Sequence, residues 1–489
     1  MEKNGRGRDK NTEAERINQM NRMTKSGVRM LEQHLETICR EYEACGMAVA
    51  VVDHTGETKY EHFIGYRDGE NQLPLNEDTI FGIASVTKSF TCMAIMQLQE
   101  QGKLDVHDLV SKYVPDFTGK NQPNLHIWQL MCHSGGFFPL PRILVGPVAE
   151  SMGLTEEKDG DFAYTPALAE EGIRLVAGRL DDQTAEQGLI GKPGEYFSYC
   201  NDGFGVLSDI VRRVSGMSFA QYVKENILLP LGMDRSSCEF VKPSLDENGA
   251  VLYERRDGVM CHDRDYHNNA FVIHGGGSLK STLSDMKKYV TMYLREGIGA
   301  NGTRVLSESG IHEMLRPKMK SGPHADYCFG LTAKEVSGLP VYEHSGDLPG
   351  VSSCICFSYE ADAAVIVLCN TTDVPASCAA EAVMRVYCGG QPAAAKVDYK
   401  EEPWSRETMA DAVGVYDCGE GYGVVIYERE DGGLGIRADG NERIAIPVSQ
   451  NLAMLSGKYA DGFVKLCRKS GKVFAVQYGS RMLPKTTRR

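Results

Sequence analysis

The segment FGIASVTKSF (81–90) brings a hydroxyl and an amine into one short stretch, at Ser85 and Lys88. Residues at positions i and i+3 share one face of a helix, so a helix here places the Lys88 amine beside the Ser85 oxygen. A serine hydroxyl becomes a strong nucleophile when a neighbouring base takes its proton, and it can then attack a carbonyl group to form an acyl-enzyme. By itself the pair also fits a plain helix start, with Ser85 near the cap and Lys88 in solvent.

Two more groups of polar residues strengthen the chemical interpretation. Tyr199 and Asn201 follow KPGEYFS and precede a helical run, and His344 opens the triplet HSG on a strand-like run. A tyrosine or a lysine acts as a base only when its pKa falls from about 10 toward neutral. Burial lowers the pKa of a lysine and a nearby cation lowers that of a tyrosine, so we expect Lys88 and Tyr199 to tune each other. Which of the two carries the proton is a coupled titration that the residues leave open.

Ser-x-x-Lys, Tyr-x-Asn and His-x-Gly in this order resemble the motifs of the serine β-lactamase and penicillin-binding-protein superfamily. The resemblance is closest to the branch of class C β-lactamases, D-Ala-D-Ala carboxypeptidases, D-aminopeptidases and related esterases. It covers roughly residues 30–388, including QEQGKLDVHDLVSKYVPDF, LHIWQLMCHSGG and HGGGSLKSTLSDM. It implies an α+β fold, in which an antiparallel sheet is flanked by helices and accompanied by an all-helical subdomain.

The resemblance also implies roles for the residues of the first two motifs. Ser85 is expected to be the nucleophile, and Tyr199 is the best candidate to deprotonate it and later to activate the hydrolytic water. Asn201 is expected to hold the Lys88 amine and the substrate amide. The backbone N–H groups of Ser85 and Asp347 are expected to hold the oxyanion, a contribution of about 3 kcal/mol per donor.

The third motif departs from the β-lactamase pattern, because His344 occupies the position of a lysine. Lysine is a permanent cation that suits a substrate carboxylate, whereas histidine is only partly charged near neutral pH. The exchange argues against a dedicated β-lactamase or a strict D-Ala-D-Ala carboxypeptidase, and it favours the aminopeptidase, amidase and esterase members. The resemblance assigns Ser345 and Gly346 to substrate binding.

The elements that must position these residues follow from hydrophobic spacing. Residues 26–45 show a helical periodicity that Gly46 can end, and MAVAVVD (47–53) and KYEHFIGYRD (59–68) are typical of a strand pair. Beyond residue 408, short strand-like runs separated by Gly, Asp or Asn predict a small antiparallel β-barrel. The predicted division is a disordered leader (1–25), a β-lactamase-like serine hydrolase domain (26–390), a linker (391–408) and a lipocalin-like accessory barrel (409–489).

Other polar clusters are predicted to be structural. The run HSGG (133–136) fits a turn beneath the site, and GGG (275–277) fits a turn because no GK[ST] follows it. A third cluster has metal-ligand side chains with a spacing that matches no standard site, which favours a substrate-lining loop. It comprises Cys261, His262, Asp265, His267 and His274. We predict neither a metal nor a cofactor, and we expect residues 140–190 to form a helical flap over the cleft.

The bulk composition narrows the class of protein. The chain has 489 residues and a formal net charge of -13, which disfavours nucleic acid and anionic membranes as partners. No apolar run approaches the ~18 residues of a membrane span, and the polar N-terminus lacks a secretory signal. The 15 cysteines contain no CxxC pair and, without an export signal, they predict a cytoplasmic location.

The preferred hypothesis is a cytoplasmic serine hydrolase that acts through an acyl-enzyme on amide or ester bonds of small molecules or short peptides, D-amino-acid-containing ones included. A promiscuous esterase or weak β-lactamase would use the same residues. A non-catalytic scaffold that self-assembles is a third hypothesis. The intact set of Ser85, Lys88, Tyr199 and Asn201 argues against it. Homo-oligomerisation stays open.

Overall fold

The computed structural model describes residues 23–115, 117, 124–153, 166–186, 190–239, 246–264, 266, 272 and 274–486. Residues 1–22 of the predicted leader, and Asp265 and His267 of the metal-type cluster, lie outside these ranges. The first helix, α1, is Lys25–Glu41, and the hydroxyl of its N-cap, Thr24, accepts a hydrogen bond from the backbone N–H of Gly27.

The larger part of the fold is built on one antiparallel sheet. The strands of this sheet and of two small pairs are, in chain order, β1 Gly46–Val52, β2 Thr58–Asp68, β3 Leu73–Pro74, β4 Phe81–Gly82, β5 Leu252–Arg256, β6 Val259–Asp263, β7 Lys280–Ser281, β8 Met319–Gly322, β9 Ala325–Tyr327, β10 Thr332–Val336, β11 Leu339–Leu348, β12 Val351–Ser358 and β13 Ala363–Cys369. Within the described chain, nine of them form the sheet in the order β3-β2-β1-β13-β12-β11-β10-β9-β8, while β4 pairs with β7 and β5 with β6.

Strand β1 shows why the sheet has an apolar core on each face. Its odd-numbered residues, Met47 to Val51, pack into a cluster with α1, whereas its even-numbered residues, Ala48 to Val52, pack into the main cluster on the opposite face. A strand covered on both faces needs no polar alternation, which accounts for the continuous apolar sequence GMAVAVV. Gly46, predicted to end the first helix, instead begins this strand. A Cβ there would lie 2.4 Å from the carbonyl oxygen of Tyr66 on β2.

Helices cover both faces of the sheet. After α1 they are α2 Thr87–Glu100, α3 Ile127–Met131, α4 Val145–Ser151, α5 Pro166–Glu186, α6 Asn201–Ser215, α7 Phe219–Val223, α8 Leu229–Leu231, α9 Leu283–Leu294, α10 Glu308–Leu315, α11 Ala376–Tyr387 and α12 Arg406–Ala412. Helices α1 and α11 pack on one face, and α9 packs on the other. Helix α2 is buried on all sides from Thr87 to Leu98, so its lysine is held inside the core.

Helices α4 and α5 lie in the segment that was expected to form a flap. Residues 154–165 and 187–189 of that segment lie outside the described ranges. Helix α5 packs against α6, where Arg179 Nε lies 3.5 Å from a carboxylate oxygen of Asp202. The role of a flap over the cleft stays a prediction.

The C-terminal strands form a separate antiparallel barrel. They are β14 Gly414–Asp417, β15 Gly423–Glu428, β16 Leu434–Ala438, β17 Asn441–Arg443, β18 Ala445–Ser449, β19 Leu452–Leu455, β20 Gly462–Lys469, β21 Lys472–Tyr478 and β22 Arg481–Thr486. Their order is β17-β16-β15-β14-β22-β21-β20-β19-β18, and β16 approaches β18, so the barrel is nearly closed. Helix α12 starts at Arg406, inside the segment predicted as a linker, and the domain boundaries themselves stay a prediction.

The predicted fold class, an α+β sheet-and-helix structure followed by a small antiparallel barrel, is confirmed. None of the helices in the described ranges has the length and apolar content that a bilayer crossing requires. All 15 cysteines lie within the described ranges and carry free thiols.

Candidate active site

Ser85 lies on a strained turn at the start of a buried helix. The 3-10 turn Ala84–Val86 leads into α2, and Ala84 has a φ of 44°, a left-handed conformation that a residue with a side chain rarely adopts. The hydroxyl of Thr87 donates to the carbonyl of Ala84 at 2.6 Å and accepts from the N–H of Leu279 at 3.1 Å. These bonds hold the turn so that the half-buried Ser85 faces the pocket.

Lys88 is fully buried beside this serine. Its Nζ lies 3.1 Å from Ser85 Oγ, 2.9 Å from Oδ1 of Asn201 and 2.5 Å from the carbonyl oxygen of Gly276. Burial lowers the pKa of Lys88 well below its ordinary value, and the cation of Arg481 lowers it further. A neutral amine has two N–H donors and one lone pair. The two carbonyl oxygens can only accept, so each takes a hydrogen bond from the amine, and the lone pair of a neutral amine is the group that can receive the Ser85 proton.

Tyr199 and Asn201 flank the N-terminus of α6. The residue between them, Cys200, is the N-cap with an extended backbone, and its N–H donates to Nδ1 of His133 at 3.0 Å. The His133 ring lies 4.0 Å from the Tyr199 ring, centroid to centroid. His133 itself has a φ of 56°. The HSGG run therefore forms a turn that supports Tyr199 from below, as predicted.

The protonation of Tyr199 differs from our expectation. Its pKa responds to two neighbours, the guanidinium of Arg481, whose carbon lies 4.6 Å from the ring centroid, and the side chain of Ser85. Both contacts lower the pKa of Tyr199, but burial raises it by more, so its pKa lies above the ordinary value. The expectation that a cation brings this pKa toward neutral is therefore wrong for the resting site, which pairs a phenol with a neutral amine.

His344 lies on β11 and is held by two hydrogen bonds. Its Nδ1 lies 2.6 Å from the carbonyl oxygen of Ser345, which requires a proton on Nδ1, so Nε2 accepts from the hydroxyl of Tyr327 at 2.9 Å. Burial lowers the pKa of His344 to about 3. His344 is thus a neutral imidazole near pH 7, not the partly charged group expected from the sequence. It offers no cation to a substrate carboxylate.

Strand β11 passes close to the nucleophile turn because Gly346 has no side chain. A Cβ at Gly346 would lie 2.3 Å from the carbonyl oxygen of Ile83 and 2.9 Å from the Cβ of Ala84. This approach brings the backbone of Asp347 next to the turn that carries Ser85. Ser345 and Asp347 are exposed and line the pocket. Their roles in substrate and oxyanion binding stay predictions.

Sequence reasoning missed the residues that the barrel contributes to the site. Glu420 lies between β14 and β15, and Arg481 begins β22. The Glu420 carboxylate accepts from Nδ2 of Asn201 at 2.9 Å and from Nε of Arg481 at 2.8 Å. The backbone N–H of Tyr199 donates to the carbonyl of Ser480 at 2.9 Å. The surrounding sequences, CGEGYG and QYGSRM, indicate turns but carry no catalytic motif.

Ser85, Tyr199, Asn201 and His344 line a pocket of about 360 Å³. Its wall combines the motif residues of the larger part with Arg142, Tyr422, Ser480 and Arg481. A pocket of this size with several convergent polar groups suits a small molecule or a short stretch of peptide. The carbonyl of Gly276, in the turn His274–Gly276, is a further site group whose role the GGG run did not reveal.

The predicted metal-type cluster makes separate contacts. Nε2 of His262 lies 2.8 Å from Glu70, whereas His274 is buried with its ring 6.3 Å from that of Phe219. Among the described residues, the side chains that lie within reach of one ion are Glu296, Glu308 and His312, and none of these lines the pocket.

Comparison with known proteins agrees with this geometry. A family model described as Beta-lactamase matches residues 28–387. Penicillin-binding protein 4* of Bacillus subtilis (strain 168) is 24% identical over 440 residues, which cover 87% of this chain and 88% of that protein. D-aminopeptidase of Brucella anthropi is 26% identical over 330 residues, which cover 67% of this chain and 56% of that protein, a little over half its length. The solved structure of the octameric penicillin-binding protein homologue from Pyrococcus abyssi superposes with a TM-score of 0.65 at 25% identity, covering 94% of this chain and 100% of that one.

Proposed function

This chain belongs to the beta-lactamase family, and on that premise we propose that it is a serine hydrolase that cleaves amide bonds through an acyl-enzyme. One observation carries the proposal: the Lys88 amine lies 3.1 Å from the oxygen of Ser85, at a buried position that lowers its pKa well below the ordinary value. A neutral amine at hydrogen-bond distance is the base that the serine hydroxyl needs.

In the acylation step, Ser85 Oγ attacks the carbonyl carbon of the substrate while its proton passes to Lys88 Nζ. The carbonyl oxygen gains the electron pair and becomes the oxyanion, for which the N–H groups of Ser85 and Asp347 are the proposed donors. This assigns the first proton transfer to Lys88 rather than to Tyr199, because the raised pKa of Tyr199 keeps its phenol protonated.

Tyr199 acts on the leaving group in this proposal. When the tetrahedral intermediate collapses, the bond to the amine nitrogen breaks and the amine takes a proton. In this proposal the Tyr199 hydroxyl donates that proton and is reprotonated by the Lys88 ammonium, whose Nζ lies 4.8 Å from the Tyr199 ring centroid. Hydrolysis of the acyl-enzyme repeats the steps with water as the nucleophile, and Ser85 recovers its proton.

The substrate class follows from the pocket and the relatives. Neutral His344 leaves the lysine position of β-lactamases without a cation, which favours amides and short peptides over β-lactams. The similarity to D-aminopeptidase supports substrates that contain a D-residue. This substrate preference is tested by comparing, at one pH, the turnover of D-amino-acid amides, their L-counterparts, p-nitrophenyl esters and nitrocefin. We expect the highest kcat/KM for a D-amino-acid amide, and faster turnover of nitrocefin or the esters would contradict the substrate class.

A fluorophosphonate probe tests the chemistry directly. We expect intact-mass spectrometry to show one adduct on the wild type, located at Ser85, and none on the folded Ser85→Ala variant. Ser309→Ala, an exposed serine on α10, is the matched control and should be labelled like the wild type. Folded wild-type protein that resists the probe would count against a hydrolase and in favour of the scaffold hypothesis.

Self-association is proposed from the structural relative named as octameric. Light scattering of the full chain tests it, with a mass of several protomers expected.

A further inference from the structure

The tip of the barrel contributes a charged pair, Glu420 and Arg481, whose Glu420 carboxylate bonds to Asn201 of the candidate active site. The side chain of Glu420 is 1% exposed, and that of Arg481 is 18% exposed. Both oxygens of the Glu420 carboxylate are engaged, one by Nδ2 of Asn201 and the other by Arg481. The backbone bond from Tyr199 to Ser480 fixes the same edge of the barrel against the start of α6.

Glu420 determines which way the amide of Asn201 faces. A carboxylate can only accept hydrogen bonds, so it selects the orientation in which Asn201 turns its NH2 group toward the barrel. The amide oxygen is then directed at Lys88, where it accepts one N–H, and Gly276 accepts the second. The lone pair of the neutral amine is left for Ser85. The orientation of the base thus depends on a residue of the barrel.

Arg481 holds this carboxylate and also the phenol. Its guanidinium carbon lies 4.6 Å from the ring centroid of Tyr199 and 4.9 Å from that of Tyr422, so it is stacked between the two rings. Its NH1 donates to the hydroxyl of Ser480 at 2.6 Å. With Glu420 it forms a neutral pair, which lets both charges occupy a site with little solvent.

We propose that Glu420 and Arg481 are positioning residues of the hydrolase, which aim Lys88 at Ser85 through Asn201 and hold the ring of Tyr199, so that the site is complete only with the barrel docked. The proposal rests on the proposed function of Ser85 and Lys88.

The two charges act on Lys88 with opposite sign. Besides Glu420 and Arg481, the titratable or charged groups among the described residues that face Lys88 include Arg142, Cys92, Cys200, Tyr199, His133 and His344. Burial raises the pKa values of Cys92, Cys200 and Tyr199 and lowers those of His133 and His344, so these five are neutral near pH 7. Arg142 is unchanged in every variant below. Removing the Glu420 charge therefore lowers the pKa of Lys88, and removing the Arg481 charge raises it.

The experiment measures the fluorophosphonate labelling rate of Ser85 between pH 5 and 10 in Glu420→Gln and Arg481→Met. We expect both variants to react roughly 10- to 100-fold more slowly at the wild-type optimum, because each removes a hydrogen bond to a charged group. The acidic limb of the profile should move to lower pH in Glu420→Gln and to higher pH in Arg481→Met. Arg481→Lys, which keeps the charge, should restore the position of the limb.

Matched controls come from an exposed ion pair on the same barrel, Arg437 with Glu442, 2.8 Å apart. In Glu442→Gln and Arg437→Met, the probe should label Ser85 at the wild-type rate, and the acidic limb of the pH profile should stay at the wild-type position. Thermal melts show which variants are folded, and if Arg481→Met does not fold, Glu420→Gln and Arg481→Lys carry the comparison.

Folded Glu420→Gln and Arg481→Met proteins with wild-type rates, or with limbs that stay in place or move in the same direction, would overturn the inference. If the wild-type protein is still labelled at Ser85 in that outcome, the proposed function is retained. An unlabelled wild type would instead contradict the proposed function itself.

Discussion

Two lysines of this protein, Lys88 and Lys334, are largely buried, but their pKa values shift in opposite directions. Lys88, buried beside Ser85, faces neutral oxygens, those of Ser85, Asn201 and Gly276, and burial holds its pKa far below the ordinary value. Lys334 on β10 has a side chain that is 19% exposed, and its Nζ lies 2.6 Å from Glu343 and 2.5 Å from Glu381. Burial alone lowers the pKa of Lys334, but the two carboxylates more than reverse this, so its pKa lies above the ordinary value.

The difference lies in the partners and not in the burial. A carbonyl oxygen offers a partial charge, which does not recover the solvation that a buried ammonium loses, whereas a carboxylate offers a full charge. One lysine is therefore the proposed base, and the other is a fixed cation in a structural network, which Arg385 completes through Glu381. The four predictions below alter one lysine or its partners at a time.

Lys88→Met should have the largest effect, on activity. Loss of the general base should slow Ser85 labelling by about 1,000-fold or more, within the range for acid–base catalysis. The variant should stay folded, and near neutral pH it should be more stable than the wild type. A depressed lysine pKa weakens folding at every pH below the unfolded value near 10.5, with the full loss below the folded pKa. Labelling kinetics and urea titrations at pH 7 and 10 measure both effects, with exposed Lys103→Met as the control. A labelling rate within tenfold of wild type would exclude Lys88 as the base.

Lys334→Met should act on stability instead. It leaves two carboxylates crowded together in a largely buried site, so we expect a loss of about 3–5 kcal/mol in the free energy of unfolding. The folded fraction should label Ser85 at the wild-type rate. The control is Lys320→Met, which breaks an exposed pair with Asp326 and should cost less than about 1 kcal/mol. Equal losses for the two variants in urea titrations would show that the Lys334 network contributes no more than a surface pair.

Asn201→Asp should make the surroundings of Lys88 resemble those of Lys334. A carboxylate at this position stabilises the ammonium and raises the pKa of Lys88, so labelling at pH 7 should fall about 100-fold. Raising the pH deprotonates the amine again, so the rate should recover toward pH 10. Asn441→Asp, on the barrel surface, controls for the added charge. A loss that is independent of pH would contradict the electrostatic explanation.

Glu343→Gln should have the smallest effect. It removes one of two carboxylates from Lys334 and keeps the shape of the side chain, so a loss of about 1.5 kcal/mol is expected. Its neighbour Glu335→Gln, exposed on β10, is the control. Combined with Lys334→Met, Glu343→Gln should recover part of the stability that the lysine variant loses, because one uncompensated charge disappears. Strictly additive losses in the double variant would argue that the two groups do not interact.

The motifs of the larger part were predictable because each is local. Ser85 and Lys88 are three residues apart on one turn of chain, and Tyr199 and Asn201 flank one helix start, so spacing alone places each pair together. The barrel was predictable for the same reason, since short strands separated by turn residues are a local pattern. The interpretation of Gly46 as a helix stop was wrong, because that glycine serves a close approach to Tyr66, which lies on another strand.

The sequence by itself determined that Ser85 and Lys88 are neighbours on one turn, and it determined the order of the elements and the presence of the barrel. The tertiary structure decided which groups are charged, which oxygens Lys88 faces, that Arg481 lines the pocket and that Glu420 bonds to Asn201. The physical reason is that protonation depends on the loss of solvent and on the charges within a few ångströms. Chain folding brings those neighbours in from distant positions: Asn201 is 113 residues from Lys88, Gly276 is 188 residues from Lys88, and Glu420 is 219 residues from Asn201.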